Sequence, residues 1–258
     1  MSVAVSAPPR HRELFVTLVR RQRWLRRKRS VLARVWPVLS PFLLMLIYTF
    51  VFRRVFNVPV RRYQEFLLCG LLPWSFLSIA LSRSTTSISS EGNLLRKAPF
   101  PAALLPLSAV AAHAIDFVGS VGVFLGWLVV SGQLHLATLP LLVLPMTAVV
   151  LLVMGLAMLV SLIDVHTHDL RYVLGNLLTI WFFLVPIVYR PAMAPKSVHF
   201  LRSIDPMNLI VGQMRSVLFF GRIDEPVQLV TMLVSCTGLF LVALAVFRKS
   251  SANLAKDV

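Results

Sequence analysis

Six apolar runs, each close to the length of helix that crosses a bilayer, follow one another along this chain: about 36–56, 66–82, 102–130, 139–163, 172–189 and 227–247. A hydrocarbon core about 30 Å thick takes roughly 20 residues of α-helix. Backbone polar groups find no water there, so only helices and closed barrels cross. Barrel strands alternate apolar and polar residues over about ten positions. These runs are longer and do not alternate, which predicts an all-α polytopic membrane protein with six transmembrane helices.

Composition agrees. Of 258 residues, 57% are of the AVILMFWYC class and 14% are charged, and the mean hydropathy is +0.80. A soluble domain of this size needs more polar surface to cover its core. Two cysteines, Cys69 and Cys236, lie inside apolar runs and read as small buried residues. No glycine precedes a lysine, so the chain lacks a P-loop and does not bind ATP by that route. There is no nucleophile elbow, and no Ser/His/Asp set at recognisable spacing.

The charge is uneven: Lys+Arg 26 against Asp+Glu 10, a formal +16. Much of it precedes the first span. In residues 1–35, Leu14, Phe15, Leu18, Val19 and Leu25 share a face at helical spacing, while Arg20, Arg21, Arg23 and Arg27 lie mostly off it. This predicts an amphipathic helix in the membrane interface, its arginines among anionic headgroups. The block joins directly to a span, so membrane lipid and not nucleic acid is the expected partner. A secretory leader has a short charged region and a small-residue cleavage site; neither is seen, and the first span is expected to stay as an anchor.

By the positive-inside rule the N-terminus faces the cytoplasm. Six crossings return the tail, residues 248–258 with Arg248, Lys249 and Lys256, to the same side. Arg53, Arg54, Arg61 and Arg62 break the rule, because they fall in the first external loop. Between the fifth and sixth spans, Arg190 to Pro226 is too short and too polar to cross. Its apolar middle, Met207 to Phe220 with Gln213 and Arg215 embedded, predicts re-entrant or interfacial external helices, a candidate gate.

Inside the third span, His113 and Asp116 stand one turn apart. An acid there is costly and pairs or lines a polar path; structural pairing is the plainer use, a proton relay the sharper one. Gly122 and Gly126 form a GxxxG that predicts close helix packing. Asp164, His166, His168 and Asp169 gather potential metal ligands in one short loop. Without further converging ligands this reads as a polar turn, and no metal site is expected.

Four stretches in order resemble the permease subunit of type-2 ABC exporters of bacterial polysaccharides. The first is Arg27-Lys28-Arg29-Ser30-Val31-Leu32-Ala33-Arg34-Val35-Trp36 with Pro41. The second is Tyr63-Gln64-Glu65-Phe66 through Gly70 and Trp74. The third is Asn93-Leu94-Leu95-Arg96-Lys97, then Phe100-Pro101 and Leu105-Pro106-Leu107. The fourth is His168-Asp169-Leu170-Arg171, with Pro186-Ile187-Val188-Tyr189, Asp205-Pro206 and Arg215. Ala33 stands where the family usually has Gly, and His168 where it has Arg.

The resemblance implies a transport subunit and not an enzyme, in a bacterial cytoplasmic membrane. It implies a homodimer with two copies of a P-loop ATPase subunit, which binds ATP and magnesium, so this chain needs no cofactor of its own. The cargo would be a lipid-linked glycan such as O-antigen, teichoic acid or capsule. Residues 36–247 would be the transmembrane domain. Asn93, Arg96, Lys97, Phe100 and Pro101 would couple it to the ATPase; Pro206 and Arg215 would belong to the gate. Sugar faces grip aromatic faces weakly and without fixed register, so Tyr48, Phe52, Trp74, Trp181 and Phe182 are candidates for the glycan path. Competing readings are a permease for drugs or small lipids, and an intramembrane enzyme or proton-coupled carrier using His113 and Asp116.

Overall fold

The computed structural model of the chain describes residues 11–27, 32–55, 61–91, 100–167, 169–190, 205–222 and 226–257. Every regular element among them is helical. In chain order these are α1 (His11–Arg27), α2 (Leu32–Thr49, continued by a π-helical turn Phe50–Val55), α3 (Tyr63–Thr85) and α4 (Leu104–Val130). They continue with α5 (Val143–His166, led in by the 3-10 turn Leu139–Leu142), α6 (Leu170–Leu184), α7 (Pro206–Arg215, continued by the π turn Ser216–Phe220) and α8 (Pro226–Asp257).

Five helical segments are long and apolar enough to cross a membrane: Val35–Val55, Tyr63–Thr85, Leu104–Val130, Leu139–Val165 and Pro226–Ser250. Each contains or closely matches a run read from the sequence. The exception is the run expected over 172–189. Its helix, α6, ends at Leu184 after 15 residues. The cause is Pro186, which disfavours helical backbone at the residue before it; Val185 is extended, with φ −73° and ψ 128°. Residues 185–190 then run as irregular chain, buried over 185–188. Fifteen residues at 1.5 Å each span about 22 Å, less than a bilayer core.

The helices pack around α3. It is apolar on every side, as a helix enclosed by neighbours must be. Of its most apolar stretch 78% is buried, against 11% for the first span and 17% for the last. It packs on α4, α5, α2 and α6, and α5 in turn packs most closely on α8. The buried set runs from Met45 of α2 through Leu67, Leu71, Phe124, Val149 and Val153 to Cys236 of α8. Cys69 and Cys236 are both buried free thiols.

The pair α5–α8 shows where glycine matters. A Cβ on Gly155 would lie 2.7 Å from Leu239 and 3.1 Å from the Cα of Phe240. Gly122 and Gly126, the predicted packing motif, are exposed and meet nothing within 4 Å. Phe117, Val121, Phe124 and Leu128 turn inward instead, so the small residues occupy the opposite, outer face of α4.

Contacts divide the bundle into two ends. At one, α1 lies across the start of α4 and also touches α2. Leu18 is buried, Arg21 pairs with Glu91 at 2.9 Å, and the Gln22 amide donates to Ser108 at 3.4 Å. Leu14, Phe15 and Val19 are half-buried there. Leu25, expected on the same covered face, is exposed together with Trp24. A small core of Ile88, Met158, Ala243 and Phe247 lies at this end. At the other end, the residues before α3, the turn between α4 and α5, the chain after α6, and α7 all meet.

Overpacking a helix contact costs about 1–3 kcal/mol. Gly155→Val is therefore expected to lower the thermal unfolding midpoint of the purified protein in detergent. Gly122→Val, on the open face, is expected to leave it nearly unchanged.

Candidate functional site

Helix α7 begins on a clear stop-and-start signal. Asp205 is its N-cap, accepting a hydrogen bond from the Met207 amide at 3.0 Å, with Pro206 as first helical residue. The other carboxylate oxygen accepts the indole N–H of Trp181 at 3.2 Å. Burial pushes the Asp205 carboxyl above the ordinary carboxylate range, opposed by these same hydrogen bonds. The cap thus ties α7 to α6. At its far end the helical run closes at Gly221, whose φ is +65°. A side chain there would drive into the His135 ring, with a closest approach of 2.3 Å.

Arg215 lies at the centre of this end, only 4% exposed. Its guanidinium sits 3.6 Å from the centroid of the Phe66 ring, and one terminal nitrogen donates to the Ile187 carbonyl at 2.8 Å. The neighbouring carbonyl, Val188, accepts from the Tyr63 hydroxyl at 2.6 Å. Two buried carbonyls of the irregular chain after α6 are therefore met by side chains from α3 and α7. Gly70 makes room for it: a Cβ there would come 3.1 Å from Ile187. Phe66 meets Phe219 edge-on, and the guanidinium of Arg62 covers Phe219 at 4.7 Å. Arg62 also donates to the Gln133 side chain and, at 2.9 Å, to the Phe219 carbonyl. Its backbone is left-handed, φ 53°, which turns the chain into α3. Thr138 adds a bond to the Val217 carbonyl at 2.9 Å.

The five aromatic residues proposed for a glycan path come together. Tyr48 stacks on Phe182 at 5.6 Å and meets Phe52 at 6.1 Å. Trp74 meets Trp181 at 5.7 Å and Phe182 at 5.5 Å, both edge-on. The array joins α2, α3 and α6. Trp74 and Phe182 are buried; Tyr48, Phe52 and Trp181 are partly open. Through the Trp181–Asp205 bond it continues to Pro206 and α7, so path and gate candidates form one connected structure.

His113 and Asp116 also meet, with Nδ1 and Oδ2 3.8 Å apart. They border a small cavity of about 20 Å³ with Pro37, Pro41, Ser75 and Ser120. That volume has room for about one water. Asp164 is buried and accepts from Ser89 at 2.8 Å, while Asp169 is exposed at the start of α6. Among the described residues no three potential metal ligands converge. Of the coupling candidates, Asn93, Arg96 and Lys97 lie outside the described residues. Phe100 is half-buried and Pro101 exposed in the turn that leads into α4.

Sequence reasoning singled out Arg215 and Pro206 but not Arg62, Gln133 or Asp205 as their supports. Their partners lie up to 157 positions away, beyond the reach of local pattern. Only the Asp-Pro cap signature was legible. Removing Arg215 leaves a buried carbonyl without its charged donor, a loss of about 1.5–3 kcal/mol. Arg215→Leu is expected to speed amide hydrogen exchange in residues 185–190 and lower thermal stability. Arg215→Lys, which keeps charge but not the planar stack, should fall between.

The chain matches the ABC-2 type transporter family over residues 13–219. It is 28% identical over 253 residues to the O-antigen export system permease protein RfbA of Myxococcus xanthus, covering 96% of each chain. It is 25% identical over 249 residues to a protein of the same name from Klebsiella pneumoniae, covering 95% of this chain and 94% of that one. A family match spanning most of a chain whose apolar helices pack as described leaves one assignment: this protein belongs to the ABC-2 type transporters.

Proposed function

We propose that this chain is the membrane-spanning subunit of an ATP-driven exporter that carries a lipid-linked polysaccharide, of the O-antigen kind, across a bacterial cytoplasmic membrane. The observation that carries the reading is the similarity to O-antigen export permeases over about the whole chain. The continuous aromatic array from α2 to α6 is the feature suited to such cargo.

In this reading α6 and the irregular residues after it make the fifth of six crossings. Arg215 and Tyr63 donate to two carbonyls of its non-helical backbone, in keeping with the rule that such chain is tolerated at that depth only where protein surrounds it. The segment containing α7 is re-entrant on the outer side, and both termini are cytoplasmic. Two copies associate through apolar faces left open on the spans, α2 above all. The end carrying α1 faces two ATPase subunits. Asn93, Arg96, Lys97, Phe100 and Pro101 receive the motion, with Arg96 and Lys97 pairing with acids on the partner. ATP and magnesium stay with that partner. The aromatic faces hold sugar rings by weak contacts, which lets a polymer slide. Because Trp181 is bonded to Asp205, a shift of α7 is passed to the array.

A proton-coupled carrier would need a continuous polar path, whereas the cavity at His113 and Asp116 has room for about one water and is lined also by Leu72, Phe76, Ile79 and Phe117. Depletion of the protein is expected to leave lipid-linked glycan inside the cell and to strip the surface of it, read by fractionation and blotting. Normal surface glycan after clean deletion overturns the proposal. An Arg96→Ala/Lys97→Ala variant should keep folding and membrane insertion but lose export. Asp116→Asn should export at close to the wild-type rate; its abolition would favour the carrier.

A further inference from the structure

Two arginines near the end of the first span have no part in the machinery above. On the proposed topology they fall on the outer side, although Lys and Arg concentrate in cytoplasmic loops. Arg53 and Arg54 stand in the π-helical turn Phe50–Val55 and are exposed. Among the described residues neither guanidinium has a carboxylate within salt-bridge range. Arg62, by contrast, is committed to Gln133 and Phe219.

With Leu46, Thr49 and Phe50 these arginines line an open cleft of about 750 Å³. The Thr49 hydroxyl is buried there with no hydrogen-bond partner. That is unusual for this chain. Thr85, Thr167, Thr179 and Thr231 each donate to the carbonyl four residues back, the ordinary habit of a helical threonine. The π turn matters as well. In an α-helix the residues three and four ahead stand on the same face. The i→i+5 turn changes that register over Phe50–Val55, and Thr49, Arg53 and Arg54 all line the same cleft.

We propose that Thr49, Arg53 and Arg54 bind the phosphate headgroup of a membrane lipid. Guanidinium forks match phosphate oxygens in pairs, and the hydroxyl supplies a further donor. The surroundings extend the match. Leu46, Ile47 and Phe50 are exposed beside the arginines and suit a hydrocarbon chain. Tyr48 and Phe52 of the same helix open the aromatic array. Apolar, cationic and aromatic side chains thus stand together on one helix, the three chemistries of lipid, phosphate and sugar in a lipid-linked glycan. The site rests on the export reading only for which lipid it takes.

The test uses the purified full-length chain in neutral detergent, with native mass spectrometry reading retention of two probes, farnesyl pyrophosphate and phosphatidylglycerol. Arg53→Gln/Arg54→Gln is expected to weaken pyrophosphate binding by about tenfold or more, and Arg53→Lys/Arg54→Lys by less. Thr49→Val, which leaves both charges, should weaken it modestly and covers the case of a double variant that does not fold. A loss confined to the pyrophosphate identifies a lipid carrier as the source. An equal loss for phosphatidylglycerol identifies bulk phospholipid. Unchanged binding of both probes by the folded glutamine and valine variants overturns the site, and does so whether or not deletion strains lose surface glycan. Normal surface glycan in the deletion strain overturns the export reading while leaving a measured headgroup site in place.

Discussion

Two carbonyls, those of Ile187 and Val188, set the terms for the outer half of this molecule. Pro186 forces the chain out of α6, and the two residues that follow are enclosed by protein. Buried backbone acceptors must be met. No neighbouring strand or helix meets these; the Arg215 guanidinium and the Tyr63 hydroxyl do. Each donor is then held in place by something else. Arg215 rests on Phe66, Phe66 on Phe219, and Phe219 under Arg62, whose guanidinium reaches back to the turn between α4 and α5. A single broken helix thereby gathers α3, α7 and two connections around itself.

The same arrangement gives the aromatic array a mechanical neighbour. Trp181 belongs to the helix that Pro186 ends, and Asp205 caps the helix that Arg215 closes. The two helices are linked near the middle of the bundle by one indole–carboxylate bond and near its end by the Arg215 contact. Aromatic stacking is soft in register, while a charge-assisted bond to a buried carbonyl is directional. Compliance on the side of the array and stiffness on the side of the turn are the combination a transporting subunit needs. At the opposite end the bonds among the described residues include the Arg21–Glu91 pair and the Ser89–Asp164 bond.

Glycines show where local reading stopped. Gly122 and Gly126 carry a spacing associated with close helix contact, yet among the described residues nothing lies within 4 Å of a Cβ placed on either. Gly155 and Gly70 carry no spacing signal and are the ones on which other backbone presses. The spacing states that two helices are able to approach, and neither which face is turned inward nor whether a partner is there. Pro186 is the converse case. Its effect on Val185 was readable in principle, but a count of apolar residues passed over it and carried the fifth run on to Tyr189.

Length and apolarity of the runs, the proline and Asp-Pro punctuation and the clustering of arginine ahead of the first span are properties of contiguous residues. They were enough to specify a helical membrane protein, the bounds of most of its helices and an amphipathic leader helix, because hydrogen bonding within a helix is local and the bilayer sets its length. Which of several arginines is buried, which aromatics touch and which glycine is crowded depend on contacts across scores of positions. Arg53, Arg62 and Arg215 look alike in a string of letters. They differ because one stands in an open cleft, one bridges two connections and one is sealed against a phenylalanine ring, and only the packing of distant helices makes that distinction.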